Sequence, residues 1–184
     1  MAGEGEHKIF DYIRKMKEKK GFLDSDTHCI YGNDADLIML SLCSHLKNIV
    51  ILRETFVFKK KFNRGAKRFK EEVFFEFVNI NVLRDCLEIE FRDVKKKMEK
   101  NKFALGNVID DFIFICFFVG NDFVPKMFCF DIRKGYLDKL LDLFKQFLIE
   151  TNGYLIKNAK INFVNFEKLV KKLANWELEL IGDK

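Results

Sequence analysis

The stretch His28-Cys29-Ile30-Tyr31-Gly32-Asn33-Asp34-Ala35-Asp36-Leu37-Ile38-Met39-Leu40 decides the fold. A short apolar run, His28 to Tyr31, stops at Gly32 and is predicted as a strand. Two aspartates follow. Residues 35–45 are then too apolar for a surface face and are predicted as a buried helix. Asn48 to Arg53, reading Asn-Ile-Val-Ile-Leu-Arg, is a second strand. Strand, helix, strand in this order is a β-α-β unit, which favours a parallel sheet. Ligands of such sheets bind beyond the carboxyl ends of the strands, where Asp34 and Asp36 would lie.

Upstream, Glu4 to Lys20 reads as a helix, with Ile9, Ile13 and Met16 at helical spacing and Gly21 as its stop. Downstream, Lys59 to Lys70 holds seven basic residues in twelve, with Phe62 and Phe69 interleaved. It reads as a loop or excursion whose bland role is a solvated charge run and whose functional alternative is to track a phosphate backbone. Phe74 to Lys100 is helical in character, Val108 to Val119 is a strongly apolar helix, and Ile132 to Glu150 is amphipathic. A turn at Asn152-Gly153, a short strand at Tyr154 to Ile156 and a helix from Phe163 to Leu180 complete the chain. The expected class is α/β, a parallel or mixed sheet flanked by helices with a helix-rich C-terminal half. One domain over 1–184 is expected, made of an α/β part (1–55), a basic excursion (56–80) and a mainly helical part (81–184).

Composition sets the outer limits. The hydrophobic fraction of 48% and the 22 phenylalanines supply a core and exclude a disordered chain. The net charge of +5 is a mild excess that by itself says little about nucleic acid. Cys29, Cys43, Cys86, Cys116 and Cys129 form no C-x-x-C pair and are expected to be buried, reduced thiols. The first residues carry no basic and apolar leader pattern, so an intracellular protein is expected. The apolar run Phe112 to Val119 is far short of the roughly 20 residues of a membrane span.

Three acidic points carry the chemistry. Glu4 and Glu6 lie in Gly-Glu-Gly-Glu before the first helix, Asp34 and Asp36 follow the first strand, and Asp122 ends an apolar helix. Each has a structural alternative. Acids at a helix start suit its dipole, and an Asp after a strand is often an N-cap. Asp36 is left over by that account, and Asp122 stands at the unfavourable end of its helix. If all five converge, they need a counter-charge or must be partly protonated. Oxygen-only ligands select Mg²⁺ or Mn²⁺. Two such ions about 3.5–4 Å apart serve in-line attack on phosphodiesters.

Gly3-Glu4-Gly5-Glu6-His7-Lys8-Ile9 resembles the Gly-Glu-Gly-Glu-His-Lys-Ile motif of the XRN family of 5′→3′ exoribonucleases. Tyr31 to Leu40 resembles that family's Tyr-Gly-Leu-Asp-Ala-Asp-Leu-Ile-Met-Leu block, with Asn33 in place of Leu. Leu52-Arg53-Glu54 matches its Leu-Arg-Glu, and Val119-Gly120-Asn121-Asp122-Phe123-Val124-Pro125 its Val-Gly-Asn-Asp-Phe-Leu-Pro, after which Lys126-Met127-Phe128 departs from the pattern. The resemblance implies a core related to PIN domains and flap nucleases. It implies that Glu4, Glu6, Asp34, Asp36 and Asp122 hold two Mg²⁺ or Mn²⁺ ions. The implied reaction is hydrolysis of single-stranded, 5′-monophosphorylated RNA to mononucleotides. Family members carry a long stretch ahead of Gly-Glu-Gly-Glu, with two more metal-site aspartates and a basic pocket for the 5′-phosphate. The chain is therefore expected to be part of such an enzyme and incomplete on its own.

Lys8 and Arg53 could contact substrate phosphate or simply offset the acidic cluster. His7 could orient a water or cap locally, and His28 and His45 read as structural. The rival to a nuclease core is a non-catalytic RNA-binding module that keeps the fold. A glycosyltransferase-like Asp-x-Asp site ranks last, because it leaves Gly-Glu-Gly-Glu and Gly-Asn-Asp-Phe without a role.

Overall fold

The computed structural model describes residues 3–23, 25–63, 66–120, 125 and 135–182. The chain divides into two compact units, Met1–Asp85 and Cys86–Lys184.

The first unit is a small mixed sheet with two helices. Helix α1 (Gly5–Lys17) buries Phe10 and Ile13 and carries Arg14, Lys15 and Lys17 in its last turn, where cations suit the dipole. The chain then turns through Gly21, whose φ of +105° favours glycine. Strand β1 (His28–Tyr31) and helix α2 (Asp36–Cys43) lie where the sequence predicts them. Strand β2 (Ile49–Asn63) pairs with β1 in parallel, Ile30 opposite Ile51 and Tyr31 opposite Leu52. Ile30, Ile49 and Ile51 are buried with Leu37 and Leu42 of α2. Arg84 reaches the Leu42 carbonyl and His45 Nδ1 at the end of α2. His28 stacks on Phe22, in keeping with a structural role.

Beyond Arg53 the structure departs from the sequence reading. β2 continues to Asn63 and returns as β3 (Ala66–Asn79), a long antiparallel hairpin that gives the sheet order β1-β2-β3. Of the Lys59–Lys70 run, the described residues 59–63 and 66–70 belong to these two strands and not to a loop. Phe74 to Asn79 is strand, not helix. Lysine and glutamate are poor strand formers, yet the continuous antiparallel ladder overrides that preference, with Glu71 paired to Phe58 and Glu72 to Val57.

Helix α3 (Ile80–Glu90) spans the division between the units. The second unit is mainly helical, as expected. It contains α4 (Arg92–Lys97), α5 (Leu105–Cys116) with a 3-10 turn (Phe117–Val119), α6 (Tyr136–Thr151) and α7 (Phe163–Gly182). The predicted strand near 154–156 is a two-residue β4 (Ile156–Lys157) paired with β5 (Lys160–Ile161). Phe91, Ile109, Phe144, Phe147, Leu148 and Leu169 are among its fully buried core residues. Asp111 is also fully buried, its carboxylate accepting the backbone N–H groups of Leu155 at 2.7 Å and Ile156 at 2.8 Å.

The cysteines correct one expectation. Cys29, Cys43 and Cys86 are exposed, and only Cys116 is largely covered. Burial pushes its thiol up to about 11. Cys129 lies outside the described residues. Among the described residues no helix is long and apolar enough to cross a membrane.

Candidate functional site

The acidic loop after β1 is built by contacts at the level of the backbone. Gly32 donates its N–H to the Leu52 carbonyl at 3.0 Å, extending the parallel ladder by one residue. A Cβ on Gly32 would come within 2.6 Å of Leu37 Cδ1, so the close approach of loop and helix uses the missing side chain. Asp34 Oδ1 accepts the N–H of Asp36 at 3.1 Å, a local turn that places the second aspartate as the first residue of α2. The helix N-cap position is Ala35, without a side-chain cap. Asp36 is half-buried and Asp34 exposed.

Asn33 and Arg53 tie this loop to β2. Asn33 Oδ1 accepts the N–H of Glu54 at 2.8 Å, and the Arg53 guanidinium donates to the Asn33 carbonyl at 2.8 Å. The Tyr31 hydroxyl donates to the Glu54 carboxylate. That hydrogen bond holds the phenol above its ordinary pKa. Asn33, Tyr31 and Glu54 were not singled out by their residue types. Their common signal is spatial, since the parallel register that sets Tyr31 opposite Leu52 also brings Asn33 to Arg53 and Glu54. Arg53, expected to contact substrate phosphate or to offset the acids, braces the loop that carries them.

Glu4 and Glu6 sit at the start of α1. Glu4 is its extended N-cap residue without a side-chain cap, and Glu6 is in the first turn. Glu4 lies 4.0 Å from His7 Nε2. Lys8 is exposed and donates its backbone N–H to the Glu4 carbonyl at 3.4 Å. The C-terminal halves of α1 and α2 meet along a cleft lined by Phe10, Ile13, Arg14, Leu40 and Cys43.

The fold thus gathers Asp34 with Asp36 in one loop, and Glu4 with Glu6 on one helix start. Among the described residues no three carboxylate, imidazole or thiolate side chains meet as a metal-holding group. Asp122 lies outside the described residues. The donor chemistry of the four described carboxylates suits a hard divalent cation, but they do not assemble a ligand set by themselves.

The family segment described as "XRN 5′-3′ exonuclease N-terminus" matches residues 1–55, and "Xrn1 helical domain" matches residues 102–184. The chain is 37% identical over 178 residues to 5′-3′ exoribonuclease 1 of Saccharomyces cerevisiae, covering 97% of this chain and 12% of that protein. It is 36% identical over 178 residues to 5′-3′ exoribonuclease 1 of Schizosaccharomyces pombe, covering 97% and 13% respectively. Against 5′-3′ exoribonuclease 2 of Arabidopsis thaliana it is 36% identical over 210 residues, covering 98% and 20%. It therefore spans between 12% and 20% of the length of these relatives.

Proposed function

The chain belongs to the XRN 5′-3′ exonuclease family, and we propose that it carries the carboxylate core of an enzyme that degrades RNA from a 5′-monophosphorylated end to mononucleotides. The observation that carries this reading is the braced Asp34–Asp36 loop at the carboxyl end of β1, inside the matched N-terminal segment. We read the mixed sheet and its helices as part of a PIN- or flap-nuclease-like core.

In this proposal Asp34, Asp36, Glu4, Glu6 and Asp122 together hold two Mg²⁺ or Mn²⁺ ions. Bound there, the ions would supply Lewis acidity and positive charge at the scissile phosphate. The chain's own part is positional. Asp34 fixes the start of α2 by accepting the Asp36 N–H, so Asp36 is presented with its helix. Arg53 uses one of its five N–H donors on the Asn33 carbonyl, which leaves others for a phosphate oxygen. Lys8, exposed beside the glutamates, is a second cation for the RNA backbone.

The test has two parts. Asp36→Asn is expected to remove Mn²⁺ binding in a calorimetric titration while the circular dichroism spectrum stays that of the unaltered chain. Cleavage of a 5′-monophosphorylated single-stranded RNA in Mn²⁺ is expected to release mononucleotides, and Asp34→Asn to stop it. An unchanged Mn²⁺ isotherm in Asp36→Asn would rule out the ligand role. Because the described carboxylates form no three-membered group, a second reading stands beside the first: a module that binds RNA without cutting it. Salt-sensitive RNA binding without metal-dependent release would select that reading.

A further inference from the structure

Directly opposed residues share a face of a sheet, as do alternate residues along a strand. By the register, Ile30, Ile51 and Val78 lie on one face of the first unit's sheet, and Tyr31, Leu52 and Phe77 on the other. The first face holds Ile30, Ile49 and Ile51, all buried. The second carries Tyr31, Phe56, Val73, Phe75 and Phe77, which are 59, 46, 48, 60 and 70% exposed. Strands paired in parallel are ordinarily covered on both faces. A single crossover helix, α2, covers one.

Contiguous apolar patches beyond a few hundred Å² are rare on a monomer. At about 150–250 Å² for each aromatic side chain, the exposed parts of these four aromatics present roughly 350–600 Å². A standard interface takes about 800 Å² from each partner, with an apolar centre and a polar rim. The patch has the size of that centre. Its chemistry also selects a protein. Among the described residues of the three strands on this face, Glu54 is the one charged group, and its carboxylate accepts the Tyr31 hydroxyl. No cation stands among them to meet a phosphate. Rich in aromatics and poor in charge is the composition of an interface centre.

The shape of the face selects a second copy. Tyr31, Leu52 and Phe77 stand side by side across the three strands. The outer two are exposed, while Leu52 and its neighbour on this face, Val50, are half-buried. The face is a shallow trough between two aromatic ridges. A two-fold axis pairs such a patch with itself. It sets the β3 ridge of one copy over the β2 floor of the other, and the reverse, at the spacing of about 10 Å at which sheets pack face to face.

We propose that the sheet face carrying Tyr31, Phe56, Phe75 and Phe77 is a homodimer interface, on which a second copy of this chain packs the same face. The inference stands apart from the nuclease reading and does not rest on it.

The test is sedimentation of the 184-residue chain across a concentration series, with cysteine alkylation mapped by mass spectrometry on the same samples. A monomer–dimer equilibrium that stops at two is expected. Phe75→Thr with Phe77→Thr keeps strand-forming residues at two exposed positions. It is expected to weaken the dimer at least about 100-fold. Leu178→Ser, at an exposed apolar position of α7, is expected to leave it unchanged. Cys29 shares the proposed face, and it is exposed in the single chain, as is Cys86. Its alkylation rate relative to Cys86 is expected to fall as concentration rises. That measurement uses the unaltered chain, so it decides even where the threonine variant does not fold. A monomer at every concentration overturns the proposal, as does association beyond two. A dimer that survives in the threonine variant, or a Cys29 rate independent of concentration, places the interface elsewhere and overturns it. Shielding of Cys29 by added oligouridine without dimer formation gives the face to nucleic acid and overturns it too.

Discussion

At Asn33 one side chain ties the acidic loop to the sheet. Its Oδ1 takes the Glu54 N–H while its carbonyl takes the Arg53 guanidinium, so the residue is held from both ends. Asn33→Leu, which restores the residue of the related motif, keeps the carbonyl contact and removes the side-chain acceptor. The expected cost is about 1 kcal/mol of stability and a weaker Mn²⁺ isotherm, because the loop that presents Asp34 and Asp36 loses one tether. A titration indistinguishable from the unaltered chain would mean that the Arg53 contact suffices. Gly32→Ala tests the other side of the loop. Its Cβ would meet Leu37 Cδ1 at 2.6 Å, and Leu37 is buried. Leu37 must shift, at a cost of roughly 1–3 kcal/mol, read from a denaturant midpoint. The two aspartates were legible from the sequence because strand-Gly-x-Asp-x-Asp-helix is a local pattern. The braces were not, because they depend on which residue of β2 stands opposite Tyr31, and register is a property of the pair.

Among the elements, β1, α2 and the first five residues of β2 were legible because each is short, apolar and bounded by a turn residue. The hairpin was not. Its alternation is present in Val73, Phe75 and Phe77, opposite Phe56, Glu54 and Leu52. The dense lysines made the intervening segment look like a solvated excursion. Asn63-Arg64-Gly65, with turn residues on either side of the arginine between two aromatic runs, is the signal that was available. The buried Asp111 was equally hidden, as the second of two adjacent acids in an apolar run. It joins α5 to the start of β4 by accepting two backbone N–H groups. Asp111→Asn keeps one acceptor and sets an NH₂ group against the other N–H. The expected loss is about 1–3 kcal/mol, from one buried donor left unpaired. A denaturation midpoint equal to that of the unaltered chain would show that β4 is held by its strand pairing alone.

For the molecule as a whole, the charged groups pull stability in opposite directions with pH. Burial, opposed by the two N–H groups and reinforced by Asp110, raises Asp111 from the ordinary carboxylate value to about 7. Between about pH 4 and 7 the folded state then holds a proton that the unfolded chain has released, so stability falls as pH rises through this window. About three pK units correspond to at most about 4 kcal/mol. Asp11, Asp93, Glu99 and Glu167 act the other way. Hydrogen bonds from Lys15, Lys96, Lys102 and Lys171 lower them, so their contribution is present above the ordinary carboxylate pKa and lost as pH falls through the folded values. Asp93, Glu99 and Glu167 are exposed and Asp11 is half-buried, and their pairs are weak and salt-screened. The two trends oppose each other, the lowered carboxylates losing their contribution as pH falls and Asp111 losing its own as pH rises. Two units need not unfold together, so the measurement must report on one of them. The single Trp176 does so for the second unit, where it is buried in α7 against Tyr136. Its fluorescence in urea is expected to show a lower midpoint at pH 8 than at pH 5. Asp111→Asn is expected to remove most of that difference while lowering both midpoints. A difference that survives in the variant would assign the pH dependence to groups other than Asp111.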